Sequence, residues 1–220
     1  MKSSQFVIIG LGRFGSSLAR ELTKLGYEVL GVDKDEEAVQ EMSQVLTHAV
    51  VAECTDEEVL RSLGVRNFDC GVVAIGDDIQ ASILTTILLK DLGVKQVVAK
   101  AMTELHGRVL EKIGVDRVVY PERDMGIRVA HQLVSPNLLD YIELSKDYTI
   151  AELAVPKCLN GISLKELNPR ARFGCSIVAI NKAKGVIIAP EATDVLAEKD
   201  VMVVIGTNQQ IEHFEESVIR

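Results

Sequence analysis

The sequence predicts a doubly wound α/β domain with a parallel sheet, followed by a smaller α+β domain. In the first two thirds of the chain, short runs rich in Val, Ile and Ala begin about every 20 to 25 residues, and helical patterns fill the gaps. These runs are almost continuously apolar rather than alternating, which is typical of strands buried on both faces of a parallel sheet. After residue 121, strands follow one another with turns and one short helix between them, which indicates antiparallel pairing in a second domain.

Strands and helices alternate in the first domain. Gly26, Gly64, Gly93 and Gly114 each follow a helical pattern, where a left-handed C-cap is expected. The predicted strands are Phe6–Gly10, Glu28–Asp33, Ala49–Glu53, Gly71–Gly76, Gln96–Lys100 and Arg117–Tyr120. The predicted helices are Ser16–Leu25, Glu36–Gln44, Asp56–Leu63, Ile79–Leu92 and Glu104–Ile113.

The pattern of the first domain ends near Pro121. A further helix is predicted over Asp124–Val134, directly before Ser135 and Pro136. We place the first domain at residues 1–134, a linker at 135–147 and the second domain at 148–220; the linker is not rich in Gly and Ser, so we expect a semi-rigid connection. In the second domain we predict strands at Thr149–Val155, Ser176–Asn181, Gly185–Ala189 and Asp200–Gly206, a helical turn at Leu164–Leu167 and a closing helix at Asn208–Val218.

The composition excludes several classes of protein. Of the 220 residues, 47% are hydrophobic and 25% are charged, which is the usual mixture in a packed globular chain. The net charge of −8 argues against a polyanion bound on a broad basic face, and only 4% of residues are aromatic, so we expect no nucleic-acid partner. The uncharged stretch Ile79–Leu89 is shorter than the roughly 20 residues that span a bilayer. The N-terminus leads straight into a strand without a signal-peptide pattern, which predicts a cytoplasmic location.

The cysteines indicate neither a metal site nor a disulfide framework. Cys54, Cys70, Cys158 and Cys175 form no C-x-x-C pair, and no histidine lies at metal-ligand spacing from them. We interpret them as reduced, mostly buried thiols. The alternative is a redox-active thiol at Cys54, which follows a predicted strand.

A glycine-rich turn lies directly between the first strand and the first helix. Gly10, Gly12 and Gly15 form a G-x-G-x-x-G pattern in the context that dinucleotide-binding folds require. In a Rossmann-like domain the first glycine makes the tight turn, the second lets a pyrophosphate approach, and the third packs the helix on the strand. Asp33 ends the second strand and is placed to accept hydrogen bonds from ribose hydroxyls. A glycine turn without a ligand is the alternative.

Other polar residues follow the strands at the edge where an open parallel sheet binds ligands. Arg13 is placed to contact phosphates, with a surface ion pair as the alternative. Asp77 and Asp78 either line the crevice or cap the next helix. Pro121 is expected to hold Glu122 on a strand-to-loop exit, where a carboxylate near phosphates would require Mg²⁺ or another cation.

Residues typical of catalysis are missing. His48, His106, His131 and His213 are not paired with an acid at a recognisable catalytic spacing, and no nucleophile-elbow, Walker A or H-E-x-x-H pattern occurs. Ligand binding without catalysis is therefore favoured, and we do not expect an enzyme. An NAD-dependent oxidoreductase and a nucleotide-binding domain with some other partner are the alternatives.

Several motifs together resemble the RCK regulatory subunits of bacterial potassium uptake systems of the Ktr type. The residues that carry the resemblance are 7–15 (VIIGLGRFG), Asp33, 64–69 (GVRNFD), 73–82 (VAIGDDIQAS), 112–116 (KIGVD) and 121–126 (PERDMG). The resemblance extends over the whole chain and implies an RCK N-terminal domain followed by an RCK C-terminal domain.

The resemblance also implies a ligand and a partner. The first domain would bind ATP or ADP, with NAD(H) less favoured, beside a divalent or monovalent cation. Homodimers would assemble into a homo-octameric ring on the cytoplasmic face of a membrane-embedded potassium transporter, to which the chain would be peripherally attached. ATP would favour the active ring and ADP the inactive one.

Individual roles follow from the same resemblance. Arg13 would reach phosphates across the dimer interface, Asp33 would bind ribose, and Glu122 would lie near the cation at the γ-phosphate. The implied nucleotide-binding residues are Gly10, Gly12, Arg13, Phe14, Gly15, Asp33, Lys34, Asp35, Glu53, Cys54, Ile75, Gly76, Asp77, Lys100, Ala101, Met102, His106 and Glu122. The second domain would bind cyclic di-AMP through Asn168, Arg170, Ala171, Phe173, Ile177 and Pro190.

Overall fold

The computed structural model describes residues 4–135 and 137–218. Contacts divide the chain into two units, Met1–Arg123 and Asp124–Arg220. Pro136, named above as a break after a helix, lies outside the described residues. In the described part of the chain, no helix is both long and apolar enough to cross a membrane.

The first unit contains a six-stranded parallel sheet, as predicted. Its strands run in the order β3-β2-β1-β4-β5-β6, so the order reverses between β1 and β4. In open α/β sheets, ligands bind beyond the carboxyl ends of the strands at such a reversal. The strands are β1 (Gln5–Ile9), β2 (Glu28–Asp33), β3 (His48–Val51), β4 (Cys70–Val73), β5 (Gln96–Lys100) and β6 (Arg117–Val119).

The central strand β1 is buried on both faces, which explains its continuous apolar run. Val7 and Ile9 belong to one buried cluster, together with Leu30 of β2. Ile8 belongs to the other cluster, on the opposite face of the sheet. Each face of the sheet therefore has its own core.

Each of the first five strands of this unit is followed by an α-helix. They are α1 (Arg13–Lys24), α2 (Glu36–Ser43), α3 (Glu57–Ser62), α4 (Ile79–Asp91) and α5 (Glu104–Ile113). Side chains cap four of them: Asp35, Asp56, Asp78 and Thr103 each accept a hydrogen bond from an amide in the first turn of α2, α3, α4 and α5, respectively. Asp78 thus caps α4, which was one of its two predicted roles.

A sixth helix, α6 (Pro121–Val134), begins three residues earlier than predicted. Pro121 and Glu122 therefore lie in its first turn, and the expectation that Pro121 holds Glu122 on a strand-to-loop exit is wrong. The physical reason is that proline is favoured at the first position of a helix, where no N–H is needed and the fixed φ suits the helix.

The second unit contains a five-stranded antiparallel sheet in the order β10-β9-β11-β8-β7. Its helices pack on the core around Phe214, Leu153 and Met202. The strands are β7 (Leu138–Glu143), β8 (Tyr148–Ala154), β9 (Ser176–Lys182), β10 (Gly185–Ile188) and β11 (Val201–Thr207), and the helices are α7 (Leu164–Leu167), α8 (Pro169–Phe173) and α9 (Asn208–Val218). The antiparallel α+β architecture is as predicted.

Two elements of this unit differ from the sequence prediction. Residues 138–143, placed in a linker, form β7 and pair with β8. β7 is an edge strand whose register shifts between Leu138 and Asp140, so it lacks the regular alternation that reveals a strand. The sequence prediction also missed α8, which follows α7 after the single left-handed residue Asn168 (φ 45°).

Candidate functional site

The turn between β1 and α1 accepts only glycine at two positions. Gly10 has φ +95°, and a Cβ there would lie 3.0 Å from the backbone of Ala74. Its amide donates a hydrogen bond to the Val32 carbonyl oxygen at 2.8 Å. A Cβ on Gly15 would lie 1.8 Å from the Gly10 carbonyl oxygen. Both glycines therefore allow α1 to begin in close contact with the ends of β1 and β4.

The N-terminus of α1 differs from those of the neighbouring helices. Its N-cap is Gly12, which provides no side-chain hydrogen bond to the first turn. A Cβ on Gly12 would meet no heavy atom of the described chain within 4 Å. The first turn of α1 thus keeps amide donors for an anion, and the helix dipole adds partial positive charge there.

Asp33 connects the end of β2 to the glycine turn. Its Oδ2 accepts a hydrogen bond from the Leu11 amide at 2.5 Å, and its Oδ1 accepts one from the Asp35 amide at 3.0 Å. Each carboxylate oxygen can accept a second hydrogen bond. The carboxylate is therefore fixed in place while it retains the capacity to accept ribose hydroxyls.

A cavity of about 200 Å³ opens at the carboxyl ends of β1 to β4. It lies where the strand order reverses. Among the predicted nucleotide-binding residues, its walls include Gly10, Gly12, Asp33, Lys34, Glu53, Cys54, Ile75, Gly76 and Asp77. Asp78 lines the cavity as well as capping α4, so both of its predicted roles are seen. Ile9, Val32, Ala52, Ala74 and Ala81 also line the cavity and were not predicted. Ile9 is the last residue of β1, and Ala52 and Ala74 directly follow β3 and β4, so the strand boundaries could have identified these three.

The other predicted residues are not among those that line this cavity. Phe14 packs against the core cluster of Ile8, and Asp35 caps α2. Ala101 is part of the other core cluster. Arg13 begins α1 and is exposed.

Lys100 and Glu122 form an ion pair beside the cavity. The distance from Lys100 Nζ to Glu122 Oε1 is 2.6 Å. Only 7% of Lys100 is exposed, whereas the Glu122 side chain is 59% exposed. Lys100 Nζ lies 3.3 Å from the position that a Cβ on Gly76 would take, so the ammonium group adjoins a wall of the cavity.

This ion pair keeps Glu122 ionised. The hydrogen bond from Lys100 holds the pKa of Glu122 below its usual value, and the charge of Arg13 acts in the same direction. In the described part of the chain, no group of three or more His, Cys, Asp or Glu side chains is arranged to hold a metal ion. The cation predicted beside Glu122 therefore stays a prediction.

His106 is buried in the first turn of α5. Its Nδ1 accepts a hydrogen bond from the Met102 amide at 3.4 Å, while its Nε2 has no hydrogen-bond partner among the described residues. Burial lowers the pKa of His106, so the ring is neutral near pH 7. His106 therefore holds the loop after β5 from inside the fold.

Cys54 lines the cavity as a neutral thiol. Burial raises its pKa to about 12, and the charges of Glu53 and Asp33 act in the same direction. Because the thiolate is the reactive form of cysteine, this environment argues against the alternative of a redox-active Cys54.

The residues predicted to bind a second messenger lie on and around α8. Arg170 Nε donates a hydrogen bond to Ser176 Oγ at 3.2 Å, next to Ile177 in β9. Phe173 is buried and makes edge-to-face contacts with Phe214 and His213. Asn168 and Ala171 are exposed, and Pro190 follows β10. Arg170, Asn168 and Ala171 are thus accessible, whereas Phe173 supports them from the core.

Comparisons with known proteins agree with this architecture. The TrkA-N domain matches residues 6–121, and the TrkA-C domain matches residues 149–218. The chain is 48% identical to Ktr system potassium uptake protein C of Bacillus subtilis over 98% of this chain and 97% of that protein. It is 46% identical to Ktr system potassium uptake protein A of the same organism, also over 98% and 97%. Against Ktr system potassium uptake protein A of Vibrio alginolyticus, identity is 37% over 94% of each chain.

Solved structures share the fold. The crystal structure of the GsuK RCK domain is similar over 100% of this chain with a TM-score of 0.52 and 24% identity, and this chain spans 47% of that longer one. The GsuK channel bound to NAD gives a TM-score of 0.53 at the same identity, over 100% of this chain and 39% of that one. Together, the two domain matches and the near full-length similarity show that the chain belongs to the family of Ktr system potassium uptake proteins, with a TrkA-N and a TrkA-C domain.

Proposed function

We propose that the chain is the nucleotide-sensing regulatory subunit of a membrane-embedded potassium transporter, and that ATP and ADP bind in the cavity of the first unit. The observation that carries this proposal is the position of the cavity between the Gly10–Gly15 turn and the Asp33 carboxylate. Membership of the Ktr family supplies the partner and the transported ion.

Each part of a nucleotide has a matching part of the cavity. The amides at the start of α1 donate to the phosphates, and Asp33 accepts from the ribose hydroxyls. Glu53 and Cys54 also line the cavity and form the wall for the base in this proposal. A neutral thiol suits an uncharged purine there. NAD(H) shares the adenosine and pyrophosphate groups and is the weaker candidate.

The regulatory effect requires that ATP and ADP differ in affinity for two states of the assembly. We propose that homodimers form an octameric ring, that ATP favours its active state, and that ADP favours its inactive state. Arg13 is exposed and begins α1, so it can reach the terminal phosphate of a nucleotide in a neighbouring copy. A coupling free energy of about 1 to 3 kcal/mol per nucleotide site, summed over the sites of a ring, is enough to shift the ring between its inactive and active states. In this proposal the ring lies in the cytoplasm, docked on the membrane subunit.

The second unit provides a second regulatory input in this proposal. Arg170, Asn168 and Ala171 are exposed on or beside α8, where a guanidinium can bind a phosphodiester. We infer that cyclic di-AMP binds there and inhibits transport.

Thermal unfolding of the full chain with ATP, ADP, NADH or cyclic di-AMP, with and without divalent cations, tests the proposed ligands. A ligand at about 100 times its Kd stabilises the folded state by about 2.7 kcal/mol, which is several degrees in Tm for a chain of this size. Stabilisation by NADH alone would refute the assignment of ATP and ADP.

Potassium flux into vesicles that contain the transporter tests the regulatory role. We expect ATP-loaded subunit to increase flux relative to ADP-loaded subunit, and Arg13→Ala to reduce that difference while its Tm stays unchanged. Equal discrimination by wild type and the variant would refute the role of Arg13.

A further inference from the structure

The Lys100–Glu122 ion pair lies beside the proposed phosphate site. We propose that Glu122 holds the Lys100 ammonium in the nucleotide-free chain, so that Glu122 and the nucleotide phosphates compete for Lys100. This inference rests on the proposed function, because it assumes that phosphates occupy the cavity beside Gly76. It assigns Lys100 as the phosphate ligand and Glu122 as its internal competitor.

The position of Lys100 supports this assignment. The residue ends β5, is 7% exposed, and its Nζ adjoins Gly76 in the cavity wall. Burial restricts the side chain, so the ammonium cannot move far from this wall. An ammonium group has three donors, and only one is engaged by Glu122 in the 2.6 Å contact. A phosphate at the wall is therefore within the reach of the same group.

The position of Glu122 supports the competition. Its carboxylate is exposed and ionised, because the hydrogen bond from Lys100 and the charge of Arg13 both lower its pKa. Phosphates that approach Lys100 must overcome the attraction between Lys100 and Glu122 as well as the repulsion from the carboxylate. From the sequence, a carboxylate near phosphates was expected to require Mg²⁺ or another cation, whereas Lys100 already provides a positive charge beside Glu122.

The competition and a role for Glu122 as a cation ligand predict different results without metal. If Glu122 acts only through a bound cation, its neutralisation in EDTA changes nucleotide affinity only by relieving the repulsion between carboxylate and phosphates, and this change is the same with and without Lys100. If Glu122 holds Lys100, its neutralisation also frees the ammonium, and the gain in affinity is larger when Lys100 is present. The dependence of the gain on Lys100 in metal-free buffer therefore separates the two roles.

The experiment is calorimetric titration of the full chain with ADP in EDTA. Glu122→Gln is expected to bind ADP about fivefold more tightly than wild type, because a half-exposed ion pair contributes about 1 kcal/mol. Glu104→Gln is the matched control: it removes one charge from an exposed residue in the first turn of α5, and its affinity is expected to equal that of wild type.

A double variant tests whether the gain depends on Lys100. In the Lys100→Met background, Glu122→Gln is expected to give a clearly smaller gain in affinity, from the relief of repulsion alone; Lys100→Gln is the second background if the Met variant does not fold. Unchanged or weaker ADP binding by Glu122→Gln would overturn the inference, and so would a gain that is equally large without Lys100. Failure of the wild-type chain to bind ADP, ATP or NADH at all would instead refute the proposed function.

Discussion

Alanine should have different effects at two glycines of the β1–α1 turn: at Gly15 it should destabilise the fold, and at Gly12 it should mainly weaken nucleotide binding. A Cβ on Gly15 would lie 1.8 Å from the Gly10 carbonyl oxygen and 3.1 Å from the Ala74 Cβ. Since non-bonded heavy atoms require about 3.5 Å, α1 would have to move away from the turn by more than 1 Å, roughly. Such overpacking of a core contact with backbone costs about 3 kcal/mol or more. We therefore expect Gly15→Ala to lower the free energy of unfolding by that amount.

Gly12→Ala provides the matched control at the same turn. Gly12 has φ −64°, which suits any residue, and a Cβ there meets nothing within 4 Å of the described chain. The variant should lose only about 0.5 to 1 kcal/mol in stability, because alanine is a poorer N-cap than glycine. The added methyl group would also occupy the space through which a pyrophosphate approaches the helix amides. We expect clearly weaker nucleotide binding with a loss of only a few degrees in Tm, roughly.

Urea unfolding of the nucleotide-free chain measures the first effect, and calorimetric titration with ADP measures the second. The reasoning about packing would be refuted if Gly15→Ala unfolded at the same urea concentration as wild type. The placement of phosphates at the start of α1 would be refuted if Gly12→Ala bound ADP as tightly as wild type.

Three further predictions concern the same unit. Asp33→Asn should destabilise the unbound fold by about 1 to 3 kcal/mol, because the amide group cannot accept from both amides that the carboxylate bridges; an unchanged urea midpoint would contradict this. The hydrogen bond from the Val97 amide is the chief cause of the lowered pKa of Asp116. The carboxylate therefore stabilises the fold above its unfolded-state pKa of 3.8, and this stabilisation is lost as pH falls through the folded-state pKa. In acid titration, Asp116→Asn should lose less stability than wild type between about pH 5 and pH 3. In native protein at pH 8, a thiol reagent should label exposed Cys158 rapidly and Cys54 only on unfolding, and rapid labelling of both would contradict the burial of Cys54.

The sequence predicted most of the first unit because its strands are buried on both faces. The apolar run in β1 needs no knowledge of its partners, since any strand in the middle of a parallel sheet has the same pattern. β7 was missed because it is an edge strand with an irregular register, where neither a continuous apolar run nor a strict alternation is required. The early start of α6 was missed because Pro121 can equally end a strand or begin a helix.

The candidate site was predictable in part for a related reason. The glycine turn and Asp33 can be recognised from the residue types and their spacing along the chain. The Lys100–Glu122 pair is not local, because it depends on how the end of β5 meets the first turn of α6. The sequence therefore indicated that the Glu122 carboxylate needs a positive charge nearby, but not that Lys100 provides this charge.

The central place of β1 in the sheet has a consequence for synthesis. β1 leaves the ribosome before both of its partners, because one of its edges pairs with β2 and the other with β4, at residues 70–73. At about 5 to 20 residues per second, roughly 3 to 12 s separate the appearance of β1 from that of β4. During this interval one edge of an apolar strand is unpaired in the nascent chain, which exposes it to chaperones and to other nascent chains. Ribosome pauses before residues 70–73 have left the ribosome should therefore increase aggregation of this protein more than later pauses.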